Sequence, residues 1–268
     1  MTVLELRDVV KEYRLHGGLR AGKLRAVDQV SFRLEPGRTI ALVGQSGSGK
    51  STIAKLLMQL ERPTAGAILV DDEPMVYRGP RAAAYRKAVQ MVFQDPFASL
   101  NPYHTVGHHL ARPIRLHHRG LSRGQVEQRV LELLRRVRLD PAEDFVQRKP
   151  HELSGGQRQR VAIARALAPS PGILVADEPV SMLDVSIRLG VLNLLATLQR
   201  EENLGVLYIT HDLATARHFS DEIMVLYRGE VVEHGPADDV ILKPQHEYTR
   251  LLAEAAPDPE RRLAELRR

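Results

Sequence analysis

Not one of the 268 residues is a cysteine. A disulfide framework, a thiolate nucleophile and a cysteine-held cluster are thereby excluded, and the chain is compatible with a reducing compartment. No apolar run approaches the roughly 20 residues that a membrane-crossing helix needs, and the N-terminus carries no apolar core of a signal peptide. The expectation is a cytosolic protein, or one held peripherally at a membrane through a partner. Aromatic residues make up only 4% of the chain, too few for the stacking platforms that bind single-stranded nucleic acid. A net charge of +5 and an isoelectric point near 9.6 do not reverse that reading, because the basic residues are spread along the chain. No nucleic-acid partner is expected. The length suffices to bury a full core, as one large α/β domain or one domain with an inserted lobe.

What is present is concentrated in one stretch. After the apolar run Thr39-Ile40-Ala41-Leu42-Val43 come Gly44-Gln45-Ser46-Gly47-Ser48-Gly49-Lys50-Ser51-Thr52. The glycines let successive backbone N–H groups turn inward, and a helix opening at Lys50 adds its positive end to that nest. Lys50 is placed to reach β- and γ-phosphates, and the Ser51 hydroxyl to ligate Mg²⁺. A strand before and a helix after are the context this phosphate-binding loop requires.

Alternation of apolar residues predicts strands over 3–9 and 30–34, expected to form an antiparallel edge beside the strand that leads into the loop. Tyr13 follows the first of these, as either a stacking surface for adenine or ordinary packing, and a basic, glycine-containing loop is expected from His16 to Arg25. Ile53, Leu56, Leu57 and Leu60 lie at helical spacing. Strands are predicted over 67–70 and 89–93, with a helix over about 81–88 between them. Gln94 stands at the end of the second strand, where it either ligates Mg²⁺ and orients a water or simply caps. From Asp95 to about Arg165 the strand pattern gives way to an inserted helical lobe, marked by the stripe Val126, Val130, Leu133, Leu134 and Val137. Its histidines, His104 and His108 among them, have no acidic partner at ligand spacing, so a metal site is not expected.

Ser154-Gly155-Gly156-Gln157 opens a further helix, as a second anion-binding nest or an ordinary N-cap. The strand Ile173–Ala176 exits into the adjacent carboxylates Asp177 and Glu178. A buried strand has no structural use for such a pair, whereas Mg–nucleotide hydrolysis employs one to hold metal and one to polarise water. Asp184 precedes a helix that carries Leu189, Leu192, Leu195 and Leu198. His211 ends the strand 205–210, where an imidazole either contacts a γ-phosphate or caps. A closing hairpin over 222–233 and a short helical tail, with Pro257 and Pro259 before a charged terminus, complete the chain.

Taken together, Tyr13, the 44–52 loop, Gln94, residues 153–157, Asp177 with Glu178, Asp184 and His211 closely resemble the motif set of an ATP-binding cassette (ABC) transporter ATP-binding subunit. The resemblance implies an α/β P-loop NTPase core with an antiparallel β edge subdomain and an inserted α-helical subdomain. It implies core and β subdomain at 1–94 and 166–245, helical subdomain at 95–165 and tail at 246–268, within one domain. By the same resemblance ATP and Mg²⁺ are the cofactors. Tyr13, residues 44–52, Ser154, Gly155, Gly156, Gln157 and Asp184 contact nucleotide, Ser51, Gln94 and Asp177 hold metal, and Glu178, His211 and Gln94 are catalytic. Each ATP would lie between one subunit's P-loop and the signature 154–156 of a second ATPase subunit, head to tail, in a heterodimer. Two transmembrane permease subunits and, indirectly, an extracellular solute-binding protein complete the assembly on the cytoplasmic face of the membrane.

Met182 departs from the alanine usual in the family, with altered packing near the dimer seam as the expected consequence. The stretches 93–102, 177–181 and Pro244–Thr249 look like the peptide/nickel uptake branch, nearer its second ATPase. A soluble accessory ATPase of a multisubunit enzyme, such as a phosphonate lyase complex, is the alternative. A translation-type cassette protein is disfavoured, since those usually carry two cassettes in one chain.

Overall fold

In the computed structural model, residues 2–14 and 22–255 are described. The loop expected from residue 16 falls largely outside them, as does the charged terminus. In chain order the elements are β1 (Leu4–Arg14), β2 (Lys23–Leu34), β3 (Thr39–Val43), α1 (Lys50–Leu57), β4 (Ala65–Val70), β5 (Glu73–Pro74), α2 (Gly79–Ala88) and β6 (Val89–Val92). Then follow α3 (Pro96–Ser99), α4 (Val106–His117), α5 (Arg123–Arg136), α6 (Ala142–Val146), a single 3-10 turn, α7 (Gly155–Leu167) and β7 (Ile173–Asp177). The chain closes with α8 (Val185–Glu202), β8 (Gly205–Thr210), α9 (Leu213–Phe219), β9 (Glu222–Tyr227), β10 (Glu230–Pro236), α10 (Ala237–Leu242) and α11 (Glu247–Ala255).

Two sheets organise these elements. One has six strands in the order β10-β9-β3-β8-β7-β6, and the other four in the order β2-β1-β4-β5. In the larger sheet β9, β3, β8, β7 and β6 run parallel, and only β10 is antiparallel. All five residues of β3 are buried, as expected of a parallel strand covered on both faces. The period of two divides them between two cores. Ala41 and Val43 join the cluster shared with the helical lobe, while Ile40 and Leu42 join the cluster shared with the antiparallel sheet. The same alternation recurs in β7, where Leu174 and Ala176 face one way and Ile173 and Val175 the other. Each such leucine or isoleucine contributes about 1.5–3 kcal/mol by leaving water, so the central strands are fixed from both sides.

Two expectations are corrected. The first two strands do not flank β3; they pair with each other and with β4 in the separate antiparallel sheet, and β9 and β8 flank β3 instead. Leu60 does not extend α1, which ends at Leu57, and it stands 71% exposed. Gln59, with φ of 59°, turns the chain out of the helix just before it. The helix expected to carry Leu189, Leu192, Leu195 and Leu198 is α8; the last three are buried and Leu189 is exposed, because one side of an 18-residue helix faces solvent.

The helical lobe comprises α3 to α7, and the stripe Val126, Val130, Leu133, Leu134 and Val137 is buried as predicted. Within the span of the expected tail, α11 packs on the core through Tyr248 and Thr249, both buried.

Candidate functional site

A parallel sheet sends its strands' C-terminal ends to one edge, and four predicted site segments leave from that edge. The 44–49 loop follows β3, Gln94 lies just beyond β6, Asp177 ends β7 with Glu178 next, and His211 follows β8.

The loop after β3 is shaped by close approach. A Cβ on Gly44 would sit 2.3 Å from the carbonyl oxygen of Leu226, and one on Gly49, whose φ is +115°, 2.3 Å from that of Ala26. Side chains cannot be accommodated at either position, so the main chain threads between β2 and β9. Gly229 N–H fastens it by donating to the Ser48 carbonyl at 2.8 Å. Lys50 folds back into the loop, its Nζ donating to the carbonyls of Gly44 at 2.5 Å and Gln45 at 2.9 Å. Burial lowers the Lys50 pKa, against the opposing pull of Glu178 and Asp177. The buried hydroxyl of Ser48 has no hydrogen-bond partner among the described residues, while a Cβ on Gly47 would meet open space. A loop with a buried cation, an unsatisfied hydroxyl and an open face at its glycine tip fits a polyphosphate. Gln45, Ser46 and Gly47 are exposed at that tip, and Ser51 and Thr52 open α1 behind it.

Across the edge, Glu178 is the hub. Its backbone has φ of 42°, a left-handed conformation that costs a non-glycine residue roughly 1–2 kcal/mol. Such strain gathers at functional positions. Its N–H donates to the Ile209 carbonyl at 2.8 Å. Gln94 Nε2 donates to one carboxylate oxygen at 3.1 Å, and His211 Nδ1 lies 3.0 Å from the other. Gln94 and His211, predicted separately, thus converge on the same carboxylate.

Asp177 has its pKa pushed up to about 6, first by burial and then by the neighbouring Glu178 charge, with Lys50 pulling the other way. The donor set of the Ser51 hydroxyl and the Asp177 carboxylate is hard oxygen chemistry, which suits Mg²⁺. Without nucleotide or metal, the sign of the linkage is fixed. Between the unfolded value near pH 4 and the folded value of about 6, the folded chain holds a proton that the unfolded chain releases. Stability should therefore fall as pH rises through that window. Denaturant melts of the nucleotide-free wild type and Asp177→Asn across it should converge at the acid end and separate, in the variant's favour, at the neutral end. Curves that stay parallel would rule out the raised pKa.

Of the remaining predicted residues, only Tyr13 reaches the loop among the described residues; the others lie apart. Ser154 N-caps α7 through a reciprocal pair: its Oγ accepts from Gln157 N–H at 3.3 Å, and Gln157 Oε1 accepts from Ser154 N–H at 2.9 Å. Ser154 is exposed, and among the described residues no hydrogen bond links 154–157 to the 44–52 loop. A Cβ on Gly155 would touch Leu183 at 3.5 Å and one on Gly156 would strike Ile187 at 2.7 Å, so this nest abuts the turn before α8. Asp184 caps α8 without a side-chain bond, and Met182 projects 54% exposed beside it. Tyr13 lies within β1, with Lys11 Nζ 5.0 Å from its ring centroid. Burial raises its pKa while a hydrogen bond with Thr52 lowers it, which puts the phenol beside the first turn of α1.

Two features went unforeseen. A groove of about 1010 Å³ runs between the Gln94 segment and the helical lobe, lined by Gln94, Asp95, His104, His108, Arg165 and Asp177. Its histidines have turned toward one another, His104 and His108 stacking 4.1 Å apart, and no group of three or more His, Cys, Asp or Glu among the described residues is arranged to hold a metal. The other is Tyr248, whose hydroxyl accepts from the Gln45 N–H at 3.0 Å. Nothing in the spacing of residues so far apart in sequence could have signalled that contact.

Comparison with known proteins bears on the same residues. The family model described as ABC transporter matches residues 27–181. The chain is 45% identical over 259 residues to the Di/tripeptide transport ATP-binding protein DppF of Pseudomonas aeruginosa (strain UCBPP-PA14), covering 96% of this chain and 79% of that protein. It is also 45% identical over 266 residues to the Oligopeptide transport ATP-binding protein AppF of Bacillus subtilis (strain 168), covering 97% and 80%. Among solved structures, the ATP-binding cassette MJ0796, in a dimeric post-hydrolysis state bound to ADP and Pi, superposes with a TM-score of 0.76 at 33% identity over 87% of this chain and 98% of that one.

Proposed function

Because the chain belongs to the ABC transporter family of ATP-binding proteins, we propose that it is the ATP-hydrolysing subunit of an importer for peptides or a related small solute. The gathering of the 44–52 loop, Asp177, Glu178, Gln94 and His211 at one sheet edge carries this reading. Full-length similarity to di/tripeptide and oligopeptide transport ATP-binding proteins supports the cargo class.

Backbone N–H groups of the 44–52 loop, with the Lys50 ammonium, bind the β- and γ-phosphates of ATP, and Tyr13 packs against the adenine. Ser51 and Asp177, with Gln94, would hold Mg²⁺, which supplies positive charge to the phosphate oxygens. Glu178 accepts a proton from the attacking water as its oxygen bonds to the γ-phosphorus. The bond from that phosphorus to the β–γ bridging oxygen breaks, and ADP and phosphate result. Gln94 and His211 must exchange their present contacts with Glu178 for contacts with water and γ-phosphate, so the arrangement described is a resting one.

Ser154, Gly155, Gly156, Gln157 and Asp184 have no task within their own subunit's pocket. The reading assigns them to the ATP of a second, head-to-tail ATPase subunit, an arrangement favoured by likeness to a dimeric cassette. The division of the chain into core, helical subdomain and tail follows the same reading. Among the described residues no helix is long and apolar enough to cross a membrane, so transport requires permease subunits, and cytoplasmic-face attachment comes through them. Phe93 and Leu116, both exposed and both lining the groove beside Gln94, offer apolar surface for such a contact.

The test is co-expression with permease subunits of a peptide importer. The expected result is retention in the membrane fraction and ATPase activity that rises with permease and cargo-loaded binding protein. Full turnover with no permease contact under any condition would remove the importer assignment.

A further inference from the structure

Residues 244–249 have no part in the hydrolytic scheme, yet they reach its central loop. The segment is fastened before it gets there. Glu233 on β10 accepts from Gln245 N–H at 2.8 Å on one carboxylate oxygen and from His246 N–H at 3.0 Å on the other. Tyr248 N–H donates to His246 Nδ1 at 3.1 Å. The Tyr248 ring is buried against that of Tyr227, centroids 4.2 Å apart, and Tyr227 ends the strand next to β3. Held by its backbone and its ring, the side chain presents its hydroxyl to Gln45 N–H at 3.0 Å.

The identity of that peptide gives the contact its meaning. Gln45 N–H and the Gly44 carbonyl belong to one planar unit and point in opposite directions from it. The carbonyl accepts from Lys50 Nζ at 2.5 Å. One rigid peptide is therefore gripped at both ends, by Tyr248 on its nitrogen and by Lys50 on its oxygen. A rotation that released Tyr248 would swing the carbonyl off the ammonium.

We infer that Tyr248 is a positioning residue for ATP: by fixing the plane of the 44–45 peptide, its hydroxyl sets the place from which Lys50 reaches the phosphates. The inference rests on the reading of the 44–52 loop as the ATP site. If Tyr248 merely filled space beside Tyr227, the ring alone would suffice.

Tyr248→Phe keeps the ring and removes only the oxygen. Loss of one neutral hydrogen bond predicts about a five-fold weaker ATP affinity, measured by titration of the purified chain. It also predicts a KM for ATP that rises more than kcat falls, and faster hydrogen exchange at the Gln45 amide. The melting temperature without nucleotide should fall by no more than about 2–4 °C, the cost of the one lost bond. In a Lys50→Ala background the same substitution should add nothing to the loss of affinity, because the contact acts through Lys50. Wild-type affinity in Tyr248→Phe, or an undiminished effect without Lys50, would overturn the inference. A wild-type chain that takes up no ATP at all would instead overturn the reading of the loop, which is a distinguishable result.

Discussion

Glu178→Gln is expected to slow ATP hydrolysis by about 10²–10⁴-fold, the range a positioned general base supplies, while ATP still binds. Glutamine keeps the length of the side chain and an oxygen that accepts from Gln94 Nε2, whose bond to Glu178 is 3.1 Å. What it cannot do is take a proton from water. The left-handed backbone at residue 178, with φ of 42°, is untouched by the change, so the exit of β7 should hold its shape. With hydrolysis blocked and ATP bound, two subunits should remain closed around the nucleotide, visible as an ATP-dependent dimer in size-exclusion chromatography. Rapid turnover by this variant would remove the general-base role, and a variant that stays monomeric with ATP and its partner ATPase subunit both present would remove the shared-pocket arrangement.

Lys50→Ala is expected to cost roughly 1.5–3 kcal/mol of nucleotide binding, the worth of a charge-assisted hydrogen bond, or about 10- to 150-fold in affinity. The ammonium is desolvated, which lowers its pKa, and only the nearby Glu178 and Asp177 charges oppose the effect. A desolvated cation interacts more strongly with phosphate than an exposed one. Alanine also leaves the carbonyls of Gly44 and Gln45 without the donor they share, so the empty loop should loosen. Titration with a fluorescent ATP analogue reads the loss; affinity equal to wild type would exclude the assignment of Lys50 to the phosphates.

Much of the site was legible in the sequence because its chemistry is local. A glycine-rich loop between an apolar strand and a helix carries its own geometry, and two carboxylates at the exit of a buried strand have few other uses. The convergence of Gln94 and His211 on Glu178 was not legible. Each residue marks the end of a different strand, and only the parallel order β8-β7-β6 brings those ends together. Strand pairing was misjudged for a related reason. Alternation reveals that β1 and β2 are half-buried, but not which sheet they join, because pairing is decided by contacts distant in sequence. Leu60 falls outside α1 because helical spacing carries no information about where a helix stops. Tyr248 was invisible as a functional residue, since its partner in the loop among the described residues is a backbone N–H.

The close fit between Gly156 and Ile187, where one added carbon would intrude to 2.7 Å, has a mechanical corollary. Two surfaces in contact with no room for one added carbon resist approach, so a tilt of α7 toward α8 is expected to press on the start of α8 and on the turn bearing Met182 and Asp184. The helical lobe and that turn thus share one contact surface, through which a displacement of either reaches the other directly and not by way of the sheet.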